Sequence, residues 1–197
     1  MFRHSLKKDI ITLPNLLSLF RLILIPVYIV MYLNAQSSRD YYFCAGVLTL
    51  SCITDMLDGQ IARRFNMISA VGKFLDPVAD KATQFAMTLC LAIRYPLLWG
   101  VLILLVIKEI YQLIAASYWL KRGYMLKGAL MTGKVCTTVL FVSLVFLVMF
   151  PTVDIQVVNI IAIVDFAFLM VAFIHYIITF SRIGPRFETV KDATTHE

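Results

Sequence analysis

Six apolar runs, each about the length that crosses a bilayer and parted only by short polar breaks, leave this chain little choice of fold. They run from Leu13 to Leu33, Tyr41 to Ile61, Gly72 to Ile93, Leu97 to Leu120, Ala129 to Phe150 and Val153 to Phe180. A hydrocarbon layer ~30 Å thick takes about 20 helical residues. The 197 residues therefore hold six such helices, with no separate soluble domain expected. With 60% hydrophobic and 15% charged residues, the chain carries more apolar side chain than a water-soluble domain of this length can hide. In lipid the backbone must satisfy its own hydrogen bonds, and helices do so. The expected fold is an all-α integral membrane bundle of six transmembrane helices. The last run is long enough to tilt or to pass beyond the membrane. No internal repeat of the kind built into duplicated transporters is visible.

At the N-terminus Arg3, Lys7 and Lys8 precede no small-residue cleavage site, so the first run is expected to be retained. Ser5 to Phe20 is expected to begin as an interfacial helix, because Leu6, Ile10, Ile11 and Leu13 alternate with Lys7, Lys8 and Asp9 ahead of Pro14. Residues 1–183 are read as the transmembrane domain and 184–197 as a polar, mobile tail. A cytoplasmic N-terminus gathers Arg3, Lys7, Lys8, Arg63, Arg64, Lys73, Lys121, Arg122, Lys127, Arg182, Arg186 and Lys191 on one side, and leaves Arg39 and Arg94 on the other. Both termini are thus expected in the cytoplasm. The net charge of +6 is explained by that topology and by anionic lipid, and calls for no nucleic acid. Cys44, Cys52, Cys90 and Cys136 lie singly in apolar runs and read as small buried hydrophobes.

Against this background stand four aspartates, Asp55, Asp58, Asp76 and Asp80. Carboxylates at membrane depth are costly and need a countercharge. Asp55 and Asp58 are three residues apart and Asp76 and Asp80 four, so on helices each pair shares a face. Counted from Tyr41, Asp55 lies about 21 Å along the second span, while Asp80 lies about 12 Å into the third, so both pairs reach similar depth near the cytoplasmic edge. Facing pairs make an all-oxygen site suited to Mg²⁺ or Mn²⁺, with enough carboxylates for two ions. Gly59 and Ala62 allow a ligand close to the helix backbone, and Arg63, Arg64 and Lys73 supply fixed positive charge suited to a diphosphate. Pro77 is expected to disturb the third helix near Asp76. The competing readings are an ion-pair network with Arg63, Lys73 and Lys81, or a cation pathway in a channel or transporter. The cation pathway explains neither Gly59 nor Ala62 nor the eight-residue spacing.

Written as D-x2-D-G-x2-A-R-x8-G-x3-D-x3-D, the stretch from Asp55 to Asp80 resembles the signature of the CDP-alcohol phosphotransferase family, with every fixed position filled. Pro14, Asn15, Ser18 and Arg21 resemble the P-N-x-x-[ST]-x-x-R opening of its bacterial members. The resemblance implies a membrane-embedded transferase of a substituted phosphate group, which displaces CMP from a CDP-linked donor by attack of an alcohol. It implies that Asp55, Asp58, Asp76 and Asp80 bind the metals and that Asp80 is the catalytic base. It gives Gly59, Ala62, Arg63, Ser69 and Gly72 the cytidine and diphosphate. A homodimer in the bacterial inner membrane, with the site open to the cytoplasm, is implied as well.

The run Gly72 to Lys81 resembles the phosphatidylglycerophosphate synthases, which join glycerol 3-phosphate to CDP-diacylglycerol, and Lys134 resembles a basic acceptor position of those enzymes. Met56 and Leu57 replace a common aromatic or Val pair, and Lys108-Glu109 stands where Arg-Glu is usual. Lysine keeps the charge of that position without the guanidinium fork. Leu57-Asp58-Gly59 is similar also to cardiolipin synthases, whose acceptor is phosphatidylglycerol, so either acceptor, a small phosphorylated alcohol or a lipid, stays open. Arg21, Lys108 and Lys134 are the acceptor-site candidates. Arg21 is expected to face a polar chamber, since a lipid-facing arginine is costly. Glu109 reads equally as an acceptor-site residue or a paired helix charge, and Asp165 as a packing partner.

Overall fold

Lipid selects for helices whose apolar side chains point outward, and α1 (Leu13–Asn34) follows that rule. Ser18, Arg21, Tyr28 and Tyr32 are buried on it, whereas Ile23 and Val30 are 56% and 59% exposed. The chain continues through α2 (Ser38–Arg64), α3 (Ala70–Arg94), α4 (Leu98–Lys121), β1 (Tyr124–Leu126), α5 (Met131–Met149), α6 (Ile155–Ser181) and β2 (Phe187–Thr189). This computed structural model describes the backbone of residues 13–64, 70–126, 131–181 and 187–189, and the side chains of 16–54, 77–124 and 131–181. Residues 5–12, half of the expected interfacial helix, lie outside them.

Among the described residues four helices, α1, α4, α5 and α6, are long and apolar enough to cross a membrane. At 27 and 25 residues α2 and α3 have the length. Their composition differs because the aspartates and Arg63, Lys73 and Lys81 interrupt them. The protein is membrane-embedded and helical, with one addition to the expected all-α architecture. β1 and β2 pair antiparallel, Tyr124 opposite Thr189 and Leu126 opposite Phe187. Gly123, at φ +84°, makes the turn out of α4 that leads into β1.

The chain divides into two units. The first comprises Met1–Arg94 with Leu144–Val153. Within it α1 packs against both α2 and α3. The buried face of α2 carries Cys44, Leu48, Ser51 and Thr54, and that of α3 carries Ala79, Thr83, Ala86, Met87, Cys90 and Leu91. Hydroxyls in these helices bond to their own backbone, Thr83 to Ala79 O at 2.9 Å and Thr88 to Gln84 O at 2.8 Å, as a lipid setting requires. At one end Arg94 donates to Pro151 O at 2.9 Å and lies 4.3 Å from the centre of the Tyr41 ring. Tyr41 meets Tyr32 edge-on at 5.2 Å. The α3 helix runs on through Pro77.

The second unit comprises Tyr95–Ser143 with Asp154–Glu197. Here α4 packs against α6, whose buried stripe of Val158, Ala162, Asp165, Leu169, Ala172, Tyr176 and Phe180 follows the 3–4 spacing of one helix face. Trp119 Nε1 donates to Phe180 O at 2.9 Å. Between α5 and α6, Ser143 Oγ donates to Asp165 Oδ2 at 2.6 Å, and Thr132 Oγ1 lies 2.6 Å from His175 Nδ1.

Candidate active site

In the first unit Arg21 and Asp80 come together. Arg21 shares the buried face of α1 with Ser18, and its Nη1 donates to Asp80 Oδ1 on α3 as an ion pair. The arginine side chain is 3% exposed and the carboxylate 60%. A guanidinium enclosed at this depth needs a fixed anion, and a carboxylate one helix away answers it. The expected polar chamber for Arg21 is thus a pairing with the candidate base. The guanidinium is enclosed, while the carboxylate is exposed.

Asp55 and Asp58 fall on the unbroken α2, and Asp76 shares α3 with Asp80, so the three- and four-residue intervals fall on helix in both cases. Gly59, Ala62 and Arg63 continue α2, and Gly72 lies in the first turn of α3. The side chains of Asp55, Asp58, Asp76, Ala62 and Arg63 lie outside the described residues, as does Ser69 altogether. Of the four expected carboxylates only the Asp80 side chain is described, an exposed oxygen donor of the kind a hard divalent cation takes.

Lys108 and Lys134 belong to the second unit. Lys108 is 3% exposed, its ammonium 2.5 Å from Glu109 Oε1 and 5.9 Å from the centre of the Tyr176 ring. Lys134, in the first turns of α5, is exposed. Its neighbour Gly133 is pressed against Tyr176, and a β-carbon there would stand 3.1 Å from Tyr176 Cζ and nearer still to the hydroxyl. Tyr176 went unnoticed in the sequence. The signal available was the small residue between Thr132 and Lys134 at the start of a span, a place where helices approach closely.

A family model described as CDP-alcohol phosphatidyltransferase matches residues 11–180. Among curated relatives, a "Cardiolipin synthase (CMP-forming) / mitochondrial hydrolase fusion protein" of Schizosaccharomyces pombe is 35% identical over 118 residues, 59% of this chain and 19% of that protein. A "Cardiolipin synthase (CMP-forming)" of Streptomyces coelicolor is 34% identical over 131 residues, 65% of this chain and 60% of that protein. A "CDP-diacylglycerol--glycerol-3-phosphate 3-phosphatidyltransferase" of Shigella flexneri is 33% identical over 152 residues, 75% of this chain and 82% of the relative. The chain spans less than two thirds of the length of the first two relatives.

Proposed function

Because the chain belongs to the CDP-alcohol phosphatidyltransferase family, we propose that it moves the phosphatidyl group of CDP-diacylglycerol to glycerol 3-phosphate and releases CMP, a step of phospholipid synthesis. The observation that carries this reading is the filled Asp55-to-Asp80 pattern, borne on two helices that both pack on α1, with Asp80 held by Arg21. The name of the Shigella flexneri relative supports glycerol 3-phosphate as acceptor. A second reading, phosphatidylglycerol as acceptor, is favoured by the names of the first two relatives and shares every other part of the scheme.

In this reading Asp55, Asp58, Asp76 and Asp80 hold two ions of Mg²⁺ or Mn²⁺. Bound there, the ions would neutralise the diphosphate and the departing CMP. Asp80 takes the proton of the attacking hydroxyl, and the Arg21 guanidinium fixes its orientation before and after the transfer. Gly59, Ala62, Arg63, Ser69 and Gly72 accommodate the cytidine and diphosphate. Lys134, which is exposed, and Lys108, which is enclosed and paired with Glu109, are the acceptor-site lysines. The acyl chains of the donor stay in the bilayer. All six helices cross the inner membrane of a bacterium, both termini and the site face the cytoplasm, and the protein is a homodimer.

CMP release by the purified protein, with CDP-diacylglycerol and Mg²⁺ or Mn²⁺ and with glycerol 3-phosphate, phosphatidylglycerol, serine, inositol phosphate or no acceptor, tests the reading. Release that depends on glycerol 3-phosphate supports it, release that depends on phosphatidylglycerol selects the second reading, and release with neither overturns both.

A further inference from the structure

Asp165 sits near the middle of α6 in the second unit and is 1% exposed. Its Oδ2 lies 2.6 Å from Ser143 Oγ on α5, while Oδ1 is enclosed and has no hydrogen-bond partner. The basic groups on α4, α5 and α6 are Lys108, Lys121, Lys134 and His175. None of them bonds to Asp165: Lys108 pairs with Glu109, His175 meets Thr132, and Lys121 and Lys134 are exposed. Ser143 Oγ has a second neighbour, Leu140 O at 3.0 Å, one turn back on its own helix. Were the carboxyl ionised, both neighbours would be acceptors, and a serine hydroxyl has one proton to give. Two hydrogen bonds about one hydroxyl take two protons, and the carboxyl is the group here that can carry the second.

We infer that Asp165 is a proton-binding site, a neutral carboxylic acid whose Oδ2 hydroxyl donates to Ser143 Oγ while Ser143 donates to Leu140 O. Burial argues the same way, because an isolated carboxylate in an apolar interior takes up a proton rather than stay charged. A metal ion or a water needs room beside Oδ1, which is enclosed, whereas a proton needs none. In the neutral acid Oδ1 is a carbonyl oxygen, and its missing bond is a far smaller penalty than a missing countercharge. The chain from Asp165 through Ser143 to Leu140 thus fastens α6 to α5 without a fixed charge. Ionisation would draw the Ser143 proton away from Leu140 O and leave an unpaired charge between the two helices, so the fastening holds only while the proton stays. This inference does not depend on which acceptor the protein uses.

Infrared spectra of the full chain, in a detergent without ester groups and at about pH 6, where an ordinary aspartate is ionised, test it. The parent should show the C=O band of a protonated carboxyl group, and Asp165→Asn should lose that band. Ser143→Ala should keep the band and shift it to higher frequency, because the acid no longer donates to a hydroxyl. Identical carboxyl regions in the parent and Asp165→Asn would overturn the inference. So would a band that Ser143→Ala leaves in place, since the acid would then bond elsewhere. Should Asp165→Asn fail to fold, the presence of the band in the parent and its shift in Ser143→Ala decide the matter alone.

Discussion

Arg21 and Asp80, fifty-nine residues apart in sequence, form an ion pair in which the cation is enclosed and the anion is open. That asymmetry sets what each substitution does. Asp80→Asn keeps an oxygen acceptor for the guanidinium, so the fold should survive with a loss of about 1 kcal/mol or less, while CMP release falls to background because the base is gone. Asp80→Leu takes one anionic partner from a buried guanidinium. Stranding one partner of a fully buried pair costs about 3–5 kcal/mol. The 60% exposure of the carboxylate reduces this to roughly 1–3 kcal/mol. Thermal unfolding and CMP release, measured on both variants, check the contrast. Full turnover in Asp80→Asn would remove it as the base.

Arg21→Lys keeps the charge but not the planar fork. The pair should hold more loosely and Asp80 should be less well oriented. Turnover is expected to drop about tenfold or more with the apparent KM for the CDP-linked donor little changed, since orientation of a base acts on the chemical step. A change confined to donor KM would instead put Arg21 in the binding of the diphosphate.

The sequence shows most of the fold and only part of the site, for a physical reason visible in the helix ends. Apolar runs read as Leu13 to Leu33 and Leu97 to Leu120 end within one residue of α1 (Leu13–Asn34) and α4 (Leu98–Lys121). The runs read as Tyr41 to Ile61 and Gly72 to Ile93 fall short of α2 and α3, because α2 continues through Ser38, Arg39 and Asp40 at one end and Arg63 and Arg64 at the other, and α3 ends on Arg94. Intervals within one helix are legible because backbone periodicity sets them. Arg21–Asp80 and Gly133–Tyr176 join different helices, and no local pattern encodes which turns meet. The pairing of Tyr124–Leu126 with Phe187–Thr189 is similarly silent, since three-residue strands leave no alternation to read and the second lies in what reads as a polar tail.

Gly133 and Tyr176 set the approach of α5 to α6. Tyr176 is 4% exposed and stacks on Phe180 with ring centres 6.2 Å apart, so its ring has little freedom to withdraw from an added methyl group. Gly133→Ala should therefore cost about 1–3 kcal/mol by overpacking. Tyr176→Phe removes the atom nearest the new methyl, so the double variant should lose less than the sum of the two single losses. Unfolding of all three variants gives the coupling, and simple additivity would show that the ring moves aside.

The entry to α2 carries a pH dependence of its own. Asp40 Oδ2 accepts from the backbone N–H groups of Ser37 at 2.9 Å and Gln36 at 3.0 Å. These bonds, the Ser37 one first, hold its carboxyl below the ordinary value of 3.8. A depressed folded value means the stabilisation is fully present above the unfolded value and is lost as pH falls through the folded one. The parent should therefore be more stable than Asp40→Asn at neutral pH, and the gap should close below about pH 4. A gap independent of pH would show that the amide caps the helix as well as the carboxylate does.

Removal of divalent metal should act on stability as well as on turnover. In the proposed site four carboxylates repel unless a cation joins them, and a ligand present at a hundred times its Kd stabilises the folded state by about 2.7 kcal/mol. Chelation should accordingly abolish CMP release and lower Tm, and Mg²⁺ or Mn²⁺ should restore both. In Asp55→Asn the repulsion is smaller and the metal weaker, so chelation should shift Tm by less than in the parent, and CMP should bind more weakly at a fixed Mg²⁺ concentration. Lys134→Ala, by contrast, should retain the full metal-dependent shift and show a raised apparent KM for glycerol 3-phosphate alone. Metal titrations followed by unfolding and by nucleotide binding separate these effects. An Asp55→Asn protein whose metal-dependent shift equals the parent's would take Asp55 out of the cation site.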